Sequence, residues 1–218
     1  MCMLPLRRLV EGALKDGWAV EDGDLGSIDY RATSLGWEVL PSRKAGPLAE
    51  VLKPTAASDA PTKSLSAKYG TGDQPLHTDG AHHVRTPDVI LLSAEGSSDV
   101  PTLLWRFSTG RVPNGVLRCL RHGLFTVRSG KDGFLAPALE GIHLRFDPGC
   151  MDPSDQRARR VMAFFDSARE SAERHDWTTS GTVLAIDNRR VLHARASAEG
   201  EPDRAMQRVT LQLPEGTK

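Results

Sequence analysis

The residues best suited to chemistry in this chain are its seven histidines, together with the acids and arginines near two of them. His77 and Asp79 stand two apart in QPLHTDG. Residues two apart in an extended segment project to one face, so His-x-Asp delivers an imidazole and a carboxylate to a single point. The pair alone says little. Seven histidines and 17 aspartates in 218 residues give about half of one such match by chance.

A metal held this way needs a further donor from a distant part of the chain. The segment AIDNRRVLHAR offers His193, after a strand-like run and an Asp-Asn turn. Two histidines and one carboxylate leave three positions open, which suits an iron(II) ion that must also take a co-substrate and oxygen. His82 and His83 follow the first pair directly and could line a substrate cavity, although loop or surface roles suit them better. His122, His143 and His175 have no carboxylate at ligand spacing and read as structural. Downstream, DRAMQRVTLQL sets Arg204 and Arg208 four apart, on one face of an expected strand. An inward guanidinium is costly without a carboxylate partner and grips one with two parallel hydrogen bonds. The far end of 2-oxoglutarate is such a partner; the alternative is a surface strand with solvated arginines.

The elements that must position these residues are legible in outline. Leu6, Leu9, Val10, Ala13 and Leu14 recur at helical spacing, and Gly17 ends that helix. Residues 53 to 68 are rich in Ala, Ser, Thr, Pro and Asp and read as a connection. Strand-like runs follow: VILLS from Val89, TLLW from Thr102, FTV from Phe125 and IHLRF from Ile142, punctuated by Gly, Pro, Asp and Ser. A helix is predicted between about Ser154 and Arg174, with Val161, Phe164, Phe165, Ala168 and Ala172 as its apolar stripe and Ser154 or Asp152 as its cap. Strands then return as TVLAI, VLHA and RVTLQL. The pattern predicts a mainly β protein, a sandwich or barrel with a few flanking helices.

Composition narrows the function classes. Lys+Arg and Asp+Glu number 28 each, so there is no net charge and no basic excess of the kind that marks a nucleic-acid protein. Cys2, Cys119 and Cys150 are few, odd in number and without CxxC spacing, which argues against a disulfide framework and for a reducing compartment. No apolar run is long enough for a signal-peptide core or a membrane span, so a cytoplasmic protein without membrane or nucleic-acid partners is the expectation.

Taken together, PLHTDG, the TLLW run, DNRRVLHAR and RAMQR, in that order, resemble the taurine dioxygenase and clavaminate synthase-like (TauD/TfdA) family of iron(II)/2-oxoglutarate-dependent oxygenases. The resemblance covers roughly residues 64 to 213. It implies a double-stranded β-helix (a jelly-roll, cupin-like fold) in a single domain over 1–218. A helical lead-in would occupy about residues 1–63 and the jelly-roll core about residues 64–213. It implies His77, Asp79 and His193 as iron ligands, with 2-oxoglutarate and O2 as co-substrates. Arg204 matches the arginine that grips the far carboxylate of 2-oxoglutarate, Thr102 the threonine that assists it, and Arg208 a second arginine near co-substrate or substrate. A carboxylate at Asp79, where family halogenases carry a small residue, implies hydroxylation with release of succinate and CO2. Arg145, Asp147, Arg208 and His82 are the expected contacts of a small polar, amino-acid-like or anionic substrate, unless Arg145 and Asp147 merely pair with each other. The chain departs from the family in its shorter length and in EGSSDVPT, which replaces a Gly-rich approach to Thr102. The competing readings are a zinc metallohydrolase on the same three ligands and a non-catalytic β-barrel binding or scaffold protein.

Overall fold

The computed structural model describes residues 4–41, 46–61 and 64–216; Cys2, and Thr62 and Lys63 of the expected connection, lie outside them. Helix α1 (Leu6–Asp16) leads into β1 (Trp18–Asp22), followed by α2 (Ile28–Ser34), β2 (Glu38–Leu40), β3 (Ala49–Leu52) and α3 (Leu65–Tyr69). Next come β4 (Val89–Ala94), β5 (Ser98–Arg106), α4 (Asn114–His122), β6 (Phe125–Ser129), β7 (Asp132–Ala136), β8 (Leu139–Glu140), β9 (His143–Leu144) and β10 (Met151–Pro153). The chain ends with α5 (Gln156–Ala168), β11 (Glu173–Trp177), β12 (Thr182–Asp187), β13 (Val191–Arg195) and β14 (Met206–Gln212). The fold is mainly β, with antiparallel pairing throughout the strands described and a few helices.

The main sheet runs β1-β12-β4-β14-β2, with β3 also on β14, and a smaller sheet runs β11-β5-β13. Side-chain alternation explains how they stack. Val89, Leu91, Val183, Ala185, Val209 and Leu211 turn one face of the main sheet onto Leu9, Val10 and Ala13 of α1 and Ile28 of α2. Ile90, Leu92, Leu184 and Ile186 turn the other face onto Leu104, Trp177 and Val191 of the smaller sheet. The smaller sheet's outer face, with Trp105, Leu192 and Ala194, packs against α4, α5, β6 and β7. Because β13 alternates, His193 shares the inner face with Val191 and so points between the sheets. Among the described residues, no helix is long and apolar enough to cross a membrane.

Several expectations are corrected. The first 63 residues are not simply a helical lead-in: β1 pairs with β12, and β2 and β3 pair with β14. These strands are short and only half-buried, so their partners rather than a strong local pattern define them. The predicted helix from about 154 to 174 stops at Ala168, and its tail leaves through a 3₁₀ turn to become β11 against β5. Its cap is Asp155, whose carboxylate accepts from the Ala158 N–H at 2.7 Å. Ser154 instead meets the Thr126 hydroxyl, and Asp152 the Arg128 guanidinium. Of IHLRF, only His143–Leu144 is strand, and helix α4 had no counterpart in the sequence reading.

One buried carboxylate ties the main sheet to the β12–β13 turn. Asp88 is 3% exposed and pairs with Arg189, while its other oxygen accepts from Gln212 Nε2 at 2.5 Å and the Leu213 N–H at 2.8 Å. Removing one partner of a buried ion pair strands the other charge. Asp88→Ala should therefore lower the free energy of urea unfolding by about 3–5 kcal/mol. A loss below about 1 kcal/mol would contradict this account.

Candidate metal centre

The segment approaching His77 runs beside the free edge of β13. The Gln74 N–H donates to the Arg195 carbonyl at 2.9 Å, and His77 and His193 exchange both backbone hydrogen bonds, each at 2.9 Å. Directly opposed residues in such a pair put their side chains on the same face. The two imidazole centroids are accordingly 4.3 Å apart. Asp79, two residues on, reaches the same point: its Oδ1 lies 3.6 Å from His77 Nε2 and 3.8 Å from His193 Nε2. The structure thus brings His77, Asp79 and His193 together, all buried, with one donor atom from each within 4.8 Å of the others. Intervening Thr78 points away, and its N–H and hydroxyl engage the Phe146 backbone.

The donor chemistry suits a divalent cation. His77 Nδ1 lies 2.9 Å from the Pro75 carbonyl, so that nitrogen carries the proton and Nε2 keeps its lone pair for a metal. Burial, reinforced by His77, pushes the His193 pKa down to about 3, leaving a neutral imidazole. Burial pushes the Asp79 carboxyl up, but Arg208 and the two imidazoles outweigh it and hold the pKa at about 2, so the group is a carboxylate. The contacts of 3.6 and 3.8 Å are too long for hydrogen bonds, so no direct proton-sharing competes with a shared ion.

The centre opens on a cavity of about 560 Å³, within the range of small-molecule sites. Thr102, Arg204, Arg208 and His82 all line it, as do Glu50, His83, Asp147 and Arg195. Arg204 does not lie on the same strand as Arg208; it sits just before β14, held by Nε on the Ser98 hydroxyl at 3.0 Å. Among the described residues it has no ion-pair partner within 4.0 Å. Burial, with Arg195 nearby, draws its pKa down to about 10 against the opposing pull of Glu201. The Thr102 hydroxyl accepts from the Trp177 indole N–H at 3.1 Å, which leaves its own proton to donate. Arg195 and His175 both stand opposite Thr102 in register, on β13 and β11.

Arg208 is not a solvated surface residue. It donates from Nη1 to both Asp79 oxygens, at 3.1 and 3.0 Å, and from Nη2 to Glu50 Oε2 at 2.5 Å. Arg145 is the clearest departure from expectation. It lies outside the cavity wall and donates to the carbonyls of Ala81, His83 and Val84, stapling the loop that follows Asp79. No ion pair joins it to Asp147, whose carboxylate instead accepts from the Gly149 N–H at 2.7 Å. Two residues of the site carried no warning in their neighbours along the chain. Glu50 meets Arg208 from 158 positions away, and Trp177 reaches Thr102 across 75.

Residues 118–210 match the model of the taurine catabolism dioxygenase TauD, TfdA family, a stretch that contains His193, Arg204 and Arg208. No curated protein sequence matches the chain at a significant level. Among solved structures, asparagine oxygenase in complex with Fe(II), 2S,3S-3-hydroxyasparagine and succinate is similar with a TM-score of 0.74 and 19% identity, over 94% of this chain and 78% of that one. The non-heme iron oxygenase OrfP with Fe, succinate and (3S)-hydroxy-L-Arg gives 0.68 and 21%, over 94% and 78%. OrfP with Fe and alpha-ketoglutaric acid gives 0.67 and 20%, with the same coverage. At these identities the likeness is one of fold.

The charge states make a pH prediction. A histidine whose folded pKa lies below its unfolded value takes up a proton more readily when the chain unfolds. His193 therefore contributes stability in full above about pH 6.5, the unfolded value, and loses it as the pH falls toward 3. The melting temperature of metal-free protein should drop as the pH is lowered from 7 to 5. His193→Asn should flatten the slope, by at most about 1.4 kcal/mol per pH unit. An unchanged slope in that variant would show the protonation lies elsewhere.

Proposed function

We propose that the protein, whose residues 118–210 match the model of the TauD, TfdA family, is an Fe(II)/2-oxoglutarate-dependent oxygenase that hydroxylates a small amino-acid-like substrate, with release of succinate and CO2. The observation that carries this reading is the pairing of two functions in one cavity. Two imidazoles and a carboxylate converge on it, and Arg204, a guanidinium without a carboxylate within ion-pair distance among the described residues, lines it as well. A zinc hydrolase has no use for the second feature. The fold reading is a double-stranded β-helix, supported by two stacked antiparallel sheets that hold the site on their inner faces.

In this reading His77, Asp79 and His193 hold iron(II). The bound metal supplies oxygen activation coupled to oxidative decarboxylation of 2-oxoglutarate. The protein's own residues do the rest. Arg204 and the Thr102 hydroxyl proton hold the distal carboxylate, with Arg195 adding positive charge nearby. Trp177 and Ser98 orient these two groups, so little freedom is lost when the co-substrate arrives. For the substrate, the cavity offers both signs of charge: Arg208 beside Glu50, and Asp147 in the same wall as His82. Such a wall suits a zwitterion, and the similar solved structures carry hydroxylated asparagine and arginine. Arg208 is already committed to two carboxylates, so a substrate carboxylate would share this guanidinium rather than find it vacant. A cytoplasmic location is part of the proposal, supported by the free, buried Cys119 and Cys150.

Anaerobic addition of iron(II) and 2-oxoglutarate should give the weak visible charge-transfer band of the chelate; its absence from folded protein would sink the oxygenase reading. Losing a buried charged hydrogen-bond partner costs about 2–5 kcal/mol, so Arg204→Ala should weaken 2-oxoglutarate binding roughly 30- to several-thousand-fold. Wild-type binding by that variant would remove Arg204 from its role. In a screen for succinate release, α-amino acids should stimulate turnover. Stimulation only by carboxylates or sulfonates that lack an amine would overturn the substrate class.

A further inference from the structure

The backbone of Asp79 is held by a side chain from the turn that precedes the other ligand strand. Asn188 follows β12, five residues before His193, and is 1% exposed. Its Oδ1 accepts from the Asp79 N–H at 2.9 Å, and its Nδ2 donates to the Asp79 carbonyl at 3.0 Å and to the Pro87 carbonyl at 2.9 Å. Both polar groups of the Asp79 backbone are thus taken by one amide, 109 positions away. Among the described residues nothing else bonds them.

The neighbours of Asp79 are held differently. The His77 backbone is bridged to His193, and the Thr78 N–H donates to the Phe146 carbonyl at 2.7 Å. Gly80 has φ +67°, and a Cβ there would stand 2.5 Å from Pro87 Cδ, so only glycine fits where the chain leaves the site. Arg208, meanwhile, holds the Asp79 carboxylate by both oxygens. Without Asn188, no hydrogen bond to the Asp79 backbone would oppose that attraction or keep Oδ1 toward the two imidazoles.

We propose that Asn188 is a positioning residue for the metal carboxylate. It locks the Asp79 backbone to the β12–β13 turn, so that two ligands from opposite ends of the chain keep one geometry whether or not an ion is bound. This inference rests on the metal-centre reading above. An amide that merely completed a turn would have no need to spend three hydrogen bonds across the chain, two of them on a ligand residue.

The test uses metal-free full-length protein titrated with Co(II), a spectroscopic stand-in for iron(II), with urea unfolding measured in parallel. Outer-shell partners of metal ligands are typically worth 10–100-fold in affinity. Asn188→Ala should weaken Co(II) binding by that factor and alter the visible ligand-field spectrum. Asn188→Ser, less disruptive, should move both in the same direction and serves if the alanine variant does not fold. Asp155→Ala, which removes the α5 cap outside the cavity lining, should lower stability yet keep wild-type affinity and spectrum. Wild-type affinity and spectrum in the Asn188 variants would overturn the proposal, as would an equal loss of affinity in Asp155→Ala. If wild-type protein itself bound no Co(II), the metal-centre reading would fall, and this inference with it.

Discussion

Two backbone hydrogen bonds, exchanged between His77 and His193, are the constraint on which the site depends. A directly opposed antiparallel pair fixes the separation and facing of its side chains through the backbone, before any side-chain rotation is considered. The two imidazoles meet because their backbones are paired, and Asp79 joins them because the chain stays extended for two more residues. The pairing exists only because β13 is itself held on its other edge by β5. The site is therefore rigid for the same reason that the smaller sheet is.

Burial of these groups would be prohibitive without compensation, and the structure supplies it in a chain of alternating charge. Glu50 faces Arg208, which faces Asp79, and all three are largely removed from water. Arg208 and Glu50 are register partners on β14 and β3, so pairing along the sheet edge aligns the charges as well as the backbones. Arg208 thus holds a carboxylate that a divalent cation also attracts. Glu50, Arg208 and Asp79 together carry one net negative charge, so a bound divalent ion would leave a net positive charge, which favours an anion in the same cavity.

The segment Ile142–Phe146 shows how one stretch can serve the site without touching a ligand. Arg145 holds three carbonyls of the loop after Asp79, while the Phe146 backbone holds Thr78 between His77 and Asp79. Its charge, which at first suggests substrate binding, is used against carbonyl oxygens instead. A half-buried arginine satisfied by backbone acceptors needs no anion to be stable.

The sequence by itself determined whatever depends on spacing along one segment. The His-x-Asp pair, the inner-facing His193, the apolar stripe of α1 and the strands β4, β12, β13 and β14 could be read because a period of 2 or 3.6 residues belongs to the local backbone. So could the family resemblance that pointed to Arg204. The tertiary structure alone decided which segments lie side by side. Strands β1 to β3 exist because β12 and β14 offer them an edge, and the tail of the expected long helix became β11 because β5 needed a neighbour. Glu50, Trp177 and Asn188 entered the site through contacts spanning 158, 75 and 109 positions. Their residue types carry no record of those partners, because register between distant strands is set by packing the whole core at once rather than by any pattern within one of them.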